Sequence, residues 1–164
     1  MPGANYHEPQ LWHASLPGVV VAAAALIRDE IGHVLTVKPN YRDYWTLPGG
    51  ICELGEAPHV GCRREVAEEV GLARAVGRLL SVDWQHSPTE YGPQARPSMY
   101  FVFDGGVVGE QARIVLQHDE LDSYRFTSPA DLGNFMSEPG LRRATAALAA
   151  LGCDGARYLP NDPD

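Results

Sequence analysis

Residues 47–72 read LPGGICELGEAPHVGCRREVAEEVGL, and this stretch says more about the fold than any other part of the chain. Pro58 suits the first turn of a helix, where its missing N–H costs nothing, and Gly71 suits the left-handed residue that follows a helix. Together they predict a helix over residues 58–70. Just upstream, the PGG segment at residues 48–50 predicts a tight backbone turn that exposes amide and carbonyl groups.

The predicted helix carries three glutamates on one face. Glu65, Glu68 and Glu69 are spaced i, i+3 and i+4, so their side chains lie within about one turn of each other. Crowded carboxylates repel one another unless a positive charge lies among them, and oxygen-rich sites of this kind suit Mg²⁺. Four apolar residues fall on the other side, which we expect to face the core: Val60, Val66, Ala67 and Val70.

A solvated charged face is the competing interpretation of this helix. Glutamate-rich helices are usually solvated, and the neighbouring Arg63 and Arg64 would then form screened ion pairs. The glycine-rich lead-in at residues 48–50 favours a metal site instead, because it leaves a main-chain oxygen available as a further ligand.

The spacing of residues 50–72 resembles the signature of the Nudix hydrolase family. That signature is G-x5-E-x7-R-E-U-x-E-E-x-G-U, where U is an aliphatic residue. Here Gly50 and Glu56 are followed by REVAEEVGL at residues 64–72, and every fixed and aliphatic position matches. A chance match at all the fixed positions has odds of roughly one in a million for a chain of this length.

The resemblance implies both a fold and a reaction. The implied fold is α/β, a Nudix-type α/β/α sandwich with a mixed sheet. The implied reaction is attack of water on a phosphorus of a nucleoside diphosphate that is linked to another group. The implied cofactor is Mg²⁺, with Mn²⁺ as a substitute, since metal ions neutralise the charge that develops on phosphate oxygens.

The resemblance also implies roles for single residues. The three helix glutamates hold the metal, with the Gly49 carbonyl as an additional ligand. Glu65 also orients or deprotonates the attacking water. Arg64 and Glu56 form an ion pair that fixes the loop to the helix.

Two further segments are expected to reach the site. By the same resemblance, Glu120 approaches the metal from a later loop, with Asp119 as second choice and a solvated acidic loop as the alternative. Arg42, Tyr44 and Trp45 precede the glycine-rich segment and are predicted to bind substrate. An aromatic ring there can stack on a base, and Arg42 or Lys38 can contact a phosphate. For Trp45 itself, burial in the core is the favoured role.

The substrate is predicted from weaker features that follow the signature. Pro88 resembles a residue of ADP-ribose pyrophosphatases, and Tyr91 resembles one of dinucleoside polyphosphate hydrolases. ADP-ribose or a sugar nucleotide is the favoured substrate. The alternatives are a nucleoside triphosphate pyrophosphohydrolase that removes damaged or surplus nucleotides, and a non-catalytic Nudix-fold module that senses a nucleotide. The intact glutamates argue against the sensor, which needs no metal cluster.

The rest of the chain predicts a single domain. At 164 residues the chain is large enough to bury one core. We expect that domain at residues 17–158, after a loose arm or short edge element at residues 1–16 and before a frayed tail at residues 159–164. Turn-bounded apolar runs predict strands, the first two as a hairpin, at 19–28, 33–38, 75–84, 98–104 and 123–127. Helical patterns predict a short helix from Ser128 and a longer one at 138–151. This mixture indicates an α/β sandwich.

Composition limits the partners and the compartment. A net charge of -8 argues against affinity for nucleic-acid backbone. The longest uncharged apolar run, residues 19–27, is far shorter than the roughly 20 residues of a membrane span, and no basic segment precedes it as in a signal peptide. The three cysteines lack metal-ligand spacing and indicate reduced thiols. We therefore expect a cytoplasmic enzyme whose partner is a small nucleoside diphosphate derivative, not nucleic acid or membrane, with a homodimer left open.

Overall fold

The computed structural model describes residues 9–87, 92 and 94–161. Pro88 and Tyr91, on which the substrate prediction partly depends, lie outside the described residues. Within the described part, no helix is long and apolar enough to cross a membrane.

Among the described residues, seven strands form one sheet, and helices cover both of its faces. The strands are β1 Val20–Arg28, β2 Val34–Pro39, β3 Gly49–Ile51, β4 Leu79–Gln85, β5 Ser98–Val107, β6 Leu121–Thr127 and β7 Arg157–Leu159. The helices are α1 Pro9–Ala14, α2 Pro58–Val70 and α3 Glu138–Ala150, with a 3₁₀ helix at Pro129–Asn134.

The sheet is mixed, and its order is β6-β2-β1-β5-β4-β7, with β3 also paired to β1. The β1–β5 and β4–β7 pairs are parallel, and the other pairs are antiparallel. The predicted hairpin of β1 and β2 is confirmed, as is the mixed sheet with helices on both faces.

Strand β1 lies at the centre because its side chains are small and buried on both faces. Alternate residues point to opposite faces. Ala23 and Ala25 therefore pack with α2, in a cluster that contains Cys62, Val66 and Val70. The residues between them pack with α3 on the other face, in a second cluster that contains Ala24, Leu26, Ala144, Ala147 and Ala150. This confirms an α/β/α sandwich.

The sheet opens between β1 and β2, and this opening positions the segment before α2. Strand β1 pairs with β2 only at Arg28 and Val34, and farther along it pairs with β3 instead. Residue Thr46 bridges to Val37 of β2, so residues 46–51 pass from β2 to β1. One edge of β3 is thereby left facing α2.

Residues 9–14, within the expected N-terminal arm, form helix α1, which has no buried residue. Two local predictions are wrong. Residues 49–51 are a strand and not a tight turn, because β1 supplies hydrogen-bond partners that the local sequence does not reveal. Strand β7 runs to Leu159, one residue into the expected tail, because it pairs in parallel with β4.

The side of helix α2 that faces the core differs from the one that its apolar residues predicted. Val66 and Val70 are buried as expected, whereas Val60 and Ala67 are only half-buried. Cys62 and Glu69 complete the buried arc. The helix is therefore rotated so that a glutamate, and not a valine, enters the interior.

Candidate active site

Helix α2 begins and ends where the sequence predicted. Pro58 occupies the first turn, after the extended residue Ala57. Gly71 adopts a left-handed conformation with φ 71°, and its N–H donates to the Ala67 carbonyl. These ends fix the register of the helix, and so fix which side chains face β3.

Two glycines allow β3 to fit between β1 and α2. Gly49 has φ +148°, and a Cβ there would collide with the Ala23 carbonyl oxygen of β1. A Cβ on Gly50 would lie 2.6 Å from the carboxyl carbon of Glu65. These positions need glycine because backbone on one side and a carboxylate on the other leave no space for a side chain.

The edge of β3 that faces away from β1 contacts helix α2. The Pro48 carbonyl accepts a hydrogen bond from the Ala25 N–H of β1, and the Cys52 N–H donates one to the Val21 carbonyl of β1. Both bonds are 2.9 Å long. Since polar groups of successive residues in a strand point to opposite sides, Gly49 and Ile51 direct theirs away from β1. The N–H of Gly49 donates to Glu69 Oε2 at 2.7 Å. The Gly49 carbonyl therefore lies on the side of the helix glutamates.

Arg64 forms the centre of the carboxylate network. Its Nε and Nη2 donate to the two oxygens of Glu56 at 3.1 and 3.0 Å, a bidentate pair. Its Nη1 donates to Glu65 at 2.8 Å and to Glu68 at 3.0 Å. The predicted Glu56–Arg64 ion pair is confirmed, and it joins the loop before α2 to the helix.

The site carries more negative charge than Arg64 balances. Glu69 is only 7% exposed, and burial raises its pKa to about 8. The Gly49 N–H lowers this pKa, while the charges of Glu65, Glu120 and Glu68 raise it. Burial likewise raises the pKa of Glu65, against the lowering effect of Arg64. Carboxylates in this condition are stabilised by an added cation.

The donor set fits a divalent metal of the Mg²⁺ type. Its groups are hard oxygen donors with excess negative charge, which is the chemistry that such ions select. Across the described ranges, no three Asp, Glu, His or Cys side chains already enclose a metal-sized position. Instead, Glu65 and Glu68 are turned towards Arg64, and Glu69 towards the Gly49 N–H. The ligand roles of these side chains therefore stay predictions.

The loop before β6 brings Glu120 close to the helix glutamates. Its charge raises the pKa of both Glu65 and Glu69, whereas Asp119 is not among the charges that shift these two groups most. Asn40 holds this loop. Its backbone N–H donates to the Glu120 carbonyl, and its side-chain amide donates to the Asp119 carbonyl. This arrangement favours Glu120 over Asp119 as the further carboxylate of the site.

The predicted substrate residues lie in the segment between β2 and β3. Arg42 Nη1 donates to the Tyr44 hydroxyl at 2.7 Å, and its guanidinium lies 5.5 Å from the ring centroids of both Tyr41 and Tyr44. Arg42 and Tyr41 are exposed, while Tyr44 is half-buried. This places a cation and two aromatic rings at the surface, and their binding role stays a prediction.

Trp45 is half-buried and packs against residues that the sequence did not single out. The backbone N–H of Trp45 donates to the Phe135 carbonyl at 3.0 Å. The Arg125 guanidinium lies 5.4 Å from the Trp45 ring and 4.0 Å from the Phe135 ring. Trp45 therefore serves to join the segment before β3 to the segment before α3.

A second charged cluster, on the α3 face of the sheet, was not predicted. Asp83 of β4 is completely buried, and its two oxygens accept from Arg142 and from Nε of Arg143, the latter at 2.7 Å. The guanidinium of Arg143 lies 4.0 Å from the ring centroid of Tyr100. The sequence contains one indication of this cluster. Asp83 lies within the largely apolar strand at residues 79–85, and a buried carboxylate needs a charged or hydrogen-bonding partner.

A shallow groove of about 520 Å³ runs along the outer side of α2. Its lining includes Glu56 and Arg64, together with Val60, Arg63 and Arg74. Glu65, Glu68 and Glu69 are not among its lining residues. The groove therefore reaches the Glu56–Arg64 pair but not the three helix glutamates, which lie beside β3.

Comparison with known proteins supports one family. The NUDIX domain model matches residues 18–148. A MutT-like protein of Streptomyces ambofaciens is 39% identical over 74 residues, which cover 45% of this chain and 44% of that protein. The chain thus matches less than half the length of this curated relative.

Solved structures show the same fold. The MutT protein of Methanosarcina mazei Go1 superposes with a TM-score of 0.65 at 26% identity, covering 83% of this chain and 95% of that one. The NUDIX domain of Shewanella oneidensis NrtR, solved with ADP ribose, superposes with a TM-score of 0.67 at 18% identity, covering 90% and 95%.

Proposed function

The chain belongs to the Nudix hydrolase family, and we propose that it hydrolyses the diphosphate linkage of a nucleoside diphosphate joined to a second group, such as ADP-ribose or a sugar nucleotide. The observation that carries the proposal is the glutamate cluster at the β3 edge. There Arg64 is bonded to three carboxylates, and buried Glu69 is held by the Gly49 N–H.

Glu65, Glu68 and Glu69, with the Gly49 carbonyl, are the groups that would hold Mg²⁺. When bound, this ion supplies positive charge to the phosphate oxygens and makes a coordinated water more acidic. Mn²⁺ has the same ligand preferences and is the expected substitute.

The protein's own residues position the reactants. The Glu56–Arg64 pair holds the loop against the helix, and the hydrogen bond from Arg64 orients the Glu65 carboxylate. Glu65 accepts a proton from the attacking water or orients it, and Glu120 adds a further acceptor nearby. No covalent intermediate is required, so Cys62, which is buried in the core, acts in packing alone.

A two-phosphate substrate fits the charge of this molecule better than a triphosphate. The net charge of -8 repels polyanions at long range. On the approach to the site, Arg42 offers a cation beside the rings of Tyr41 and Tyr44, a surface on which a base can stack. The solved NrtR domain with ADP ribose indicates that the fold accommodates a ligand of this size.

A phosphate-release screen tests this proposal. ADP-ribose, sugar nucleotides, dinucleoside polyphosphates and nucleoside triphosphates are each incubated with the protein and Mg²⁺, and phosphomonoester products are detected with a coupled phosphatase. We expect the highest kcat/KM for ADP-ribose or a sugar nucleotide, and loss of activity with EDTA. Faster cleavage of a nucleoside triphosphate would establish the alternative pyrophosphohydrolase. Binding without cleavage of any compound would identify a sensor.

A further inference from the structure

Arg143 is held in one orientation by two different contacts. Its Nε donates to Asp83, whose carboxylate is completely buried, at 2.7 Å. Its guanidinium plane lies over the Tyr100 ring at 4.0 Å. An arginine side chain normally loses much rotational freedom when it binds a ligand, and here that freedom is already lost before binding.

The outer end of this guanidinium remains available. Neither Nη1 nor Nη2 of Arg143 donates a hydrogen bond to a described residue. These atoms are also absent from the buried, unpartnered polar atoms found in the described chain, which are Arg28 Nε, Ser81 Oγ and Arg142 Nε. The side chain is 15% exposed. The guanidinium of Arg143 is therefore held through Nε by buried Asp83, while Nη1 and Nη2 remain open to a ligand.

Arg142 binds the same carboxylate but is used differently. Its Nη2 donates to Asp83, and its Nη1 donates to the Pro160 carbonyl at 3.3 Å. Its Nε is buried without a partner. These contacts account for Arg142 as a structural residue that joins α3 to the C-terminal segment, and they make it a matched control for Arg143.

The strand register places Tyr100, which lies beneath Arg143, two strands away from β3. Tyr100, beneath Arg143, pairs with Asp83 on one side and with Ala22 on the other. Ala22 in turn pairs with Ile51 of β3. Because neighbouring strands lie about 4.8 Å apart, Tyr100 and Ile51 are separated by about 10 Å across the sheet.

The electrostatic surroundings of Tyr100 agree with this placement. Burial has the largest effect and raises the pKa of its hydroxyl, after which Arg143 lowers it, Glu69 raises it and Arg42 lowers it. The charges of Glu69, Arg42 and Arg143 thus all act on this one phenol. A substrate whose reacting phosphate is at the glutamates would have the Arg143 guanidinium on the α3 side of the sheet.

We infer that Arg143 binds a non-reacting anionic group of the substrate, a phosphate of the nucleoside diphosphate, with Asp83 and Tyr100 holding its guanidinium in place. This inference rests on the proposed function, and it adds a specificity residue outside the signature. A guanidinium suits the role because two parallel N–H groups match two phosphate oxygens, which the single ammonium group of lysine does not.

The test compares Arg143→Lys with Arg142→Lys, since both keep the charge and both contact Asp83. Affinity for α,β-methylene-ADP with Mg²⁺ is measured by calorimetry, and melting temperature is measured alongside. We expect Arg143→Lys to weaken binding about tenfold or more, as for a lost charge-assisted hydrogen bond, and Arg142→Lys to change it less than twofold. If Arg143→Lys does not fold, Arg143→Gln, which keeps most of the stem, replaces it.

Steady-state kinetics with the substrate found in the screen gives a second readout. The binding role predicts a raised KM with kcat within about threefold of wild type, whereas a purely structural role lowers melting temperature alone. Equal affinity in the two lysine variants, or no binding of the analogue by the wild type, overturns the inference. A wild type that binds the analogue in an Arg143-dependent manner but cleaves nothing overturns the proposed function alone.

Discussion

Two charged clusters lie on opposite faces of the same sheet, and their charge balance is reversed. On the α2 face, one arginine, Arg64, is bonded to three carboxylates, with buried Glu69 beside them. On the α3 face, one buried carboxylate, Asp83, is bonded to two arginines. The first cluster has an excess of negative charge, and the second has an excess of positive charge.

In the first cluster the fold leaves carboxylates uncompensated, and in the second it compensates the buried carboxylate while leaving the tip of Arg143 open. Glu65 and Glu69 have raised pKa values, so the protein alone does not stabilise their negative charge. Asp83 has two cationic partners, and the carboxylate is sealed from water. Uncompensated charge of this kind is what a bound ligand can balance, whereas the compensated Asp83 carboxylate joins β4 to α3.

The largest effect is expected from Glu69→Gln. The amide oxygen keeps the hydrogen bond to the Gly49 N–H, while the charge that would bind metal is lost. We expect kcat/KM to fall by about a hundredfold to a thousandfold, since single electrostatic groups in such sites contribute about 3 to 4 kcal/mol to the barrier. Activity is measured on the best substrate of the screen, and melting temperature shows that the fold is intact. Activity within tenfold of wild type would refute the metal assignment.

The opposite result is expected at the second cluster. Asp83→Asn removes the charge shared by Arg142 and Arg143, and should lower the free energy of unfolding by about 3 kcal/mol. This is the lower end of the usual range, because the two arginine side chains are 29% and 15% exposed and can turn to water. Urea denaturation measures the change. A stability equal to that of wild type would mean that the cluster is not structural.

A smaller effect is expected from weakening the tether between loop and helix. Glu56→Gln keeps the side-chain shape but loses the ionic part of the bidentate contact with Arg64. We expect activity to fall about tenfold, as is usual when a group that orients metal ligands is changed. Glu53→Gln, an exposed change three residues away in the same loop, is the control and should leave activity unchanged. Equal effects in the two variants would remove the positioning role of Glu56.

The parts of this site that the sequence predicted are local. The ends of α2, the shared face of its glutamates and the Glu56–Arg64 pair all depend on contacts within 23 residues of chain, from 50 to 72. Helical periodicity is enough to place such groups. It was not enough to orient the helix, because Val60 and Glu69 exchange the roles that their polarity suggests.

The parts that the sequence did not predict depend on distant pairing. Asp83 meets Arg142 and Arg143 across separations of 59 and 60 residues. Strand β3 exists only because β1 accepts it, and its three residues carry no strand signal of their own. Gly49 and Gly50, which predicted a turn, instead permit close contact with the backbone of β1 and with Glu65. Such features follow from the assembled sheet and not from any local pattern.

A pH dependence is expected at the first cluster, in metal-free protein kept in EDTA. The pKa of Glu69 rises from 4.5 to about 8 on folding, so the folded state favours the protonated carboxyl group. The contribution of the protonated Glu69 to the free energy of unfolding is fully present below pH 4.5, and it is lost as the pH rises towards 8. Wild type should therefore lose stability relative to Glu69→Gln over that window, measured by urea denaturation at each pH. Adding Mg²⁺ should remove the difference in slope, because a cation favours the ionised carboxylate. Parallel pH profiles for wild type and Glu69→Gln in EDTA would contradict the claim that Glu69 is held without a compensating charge.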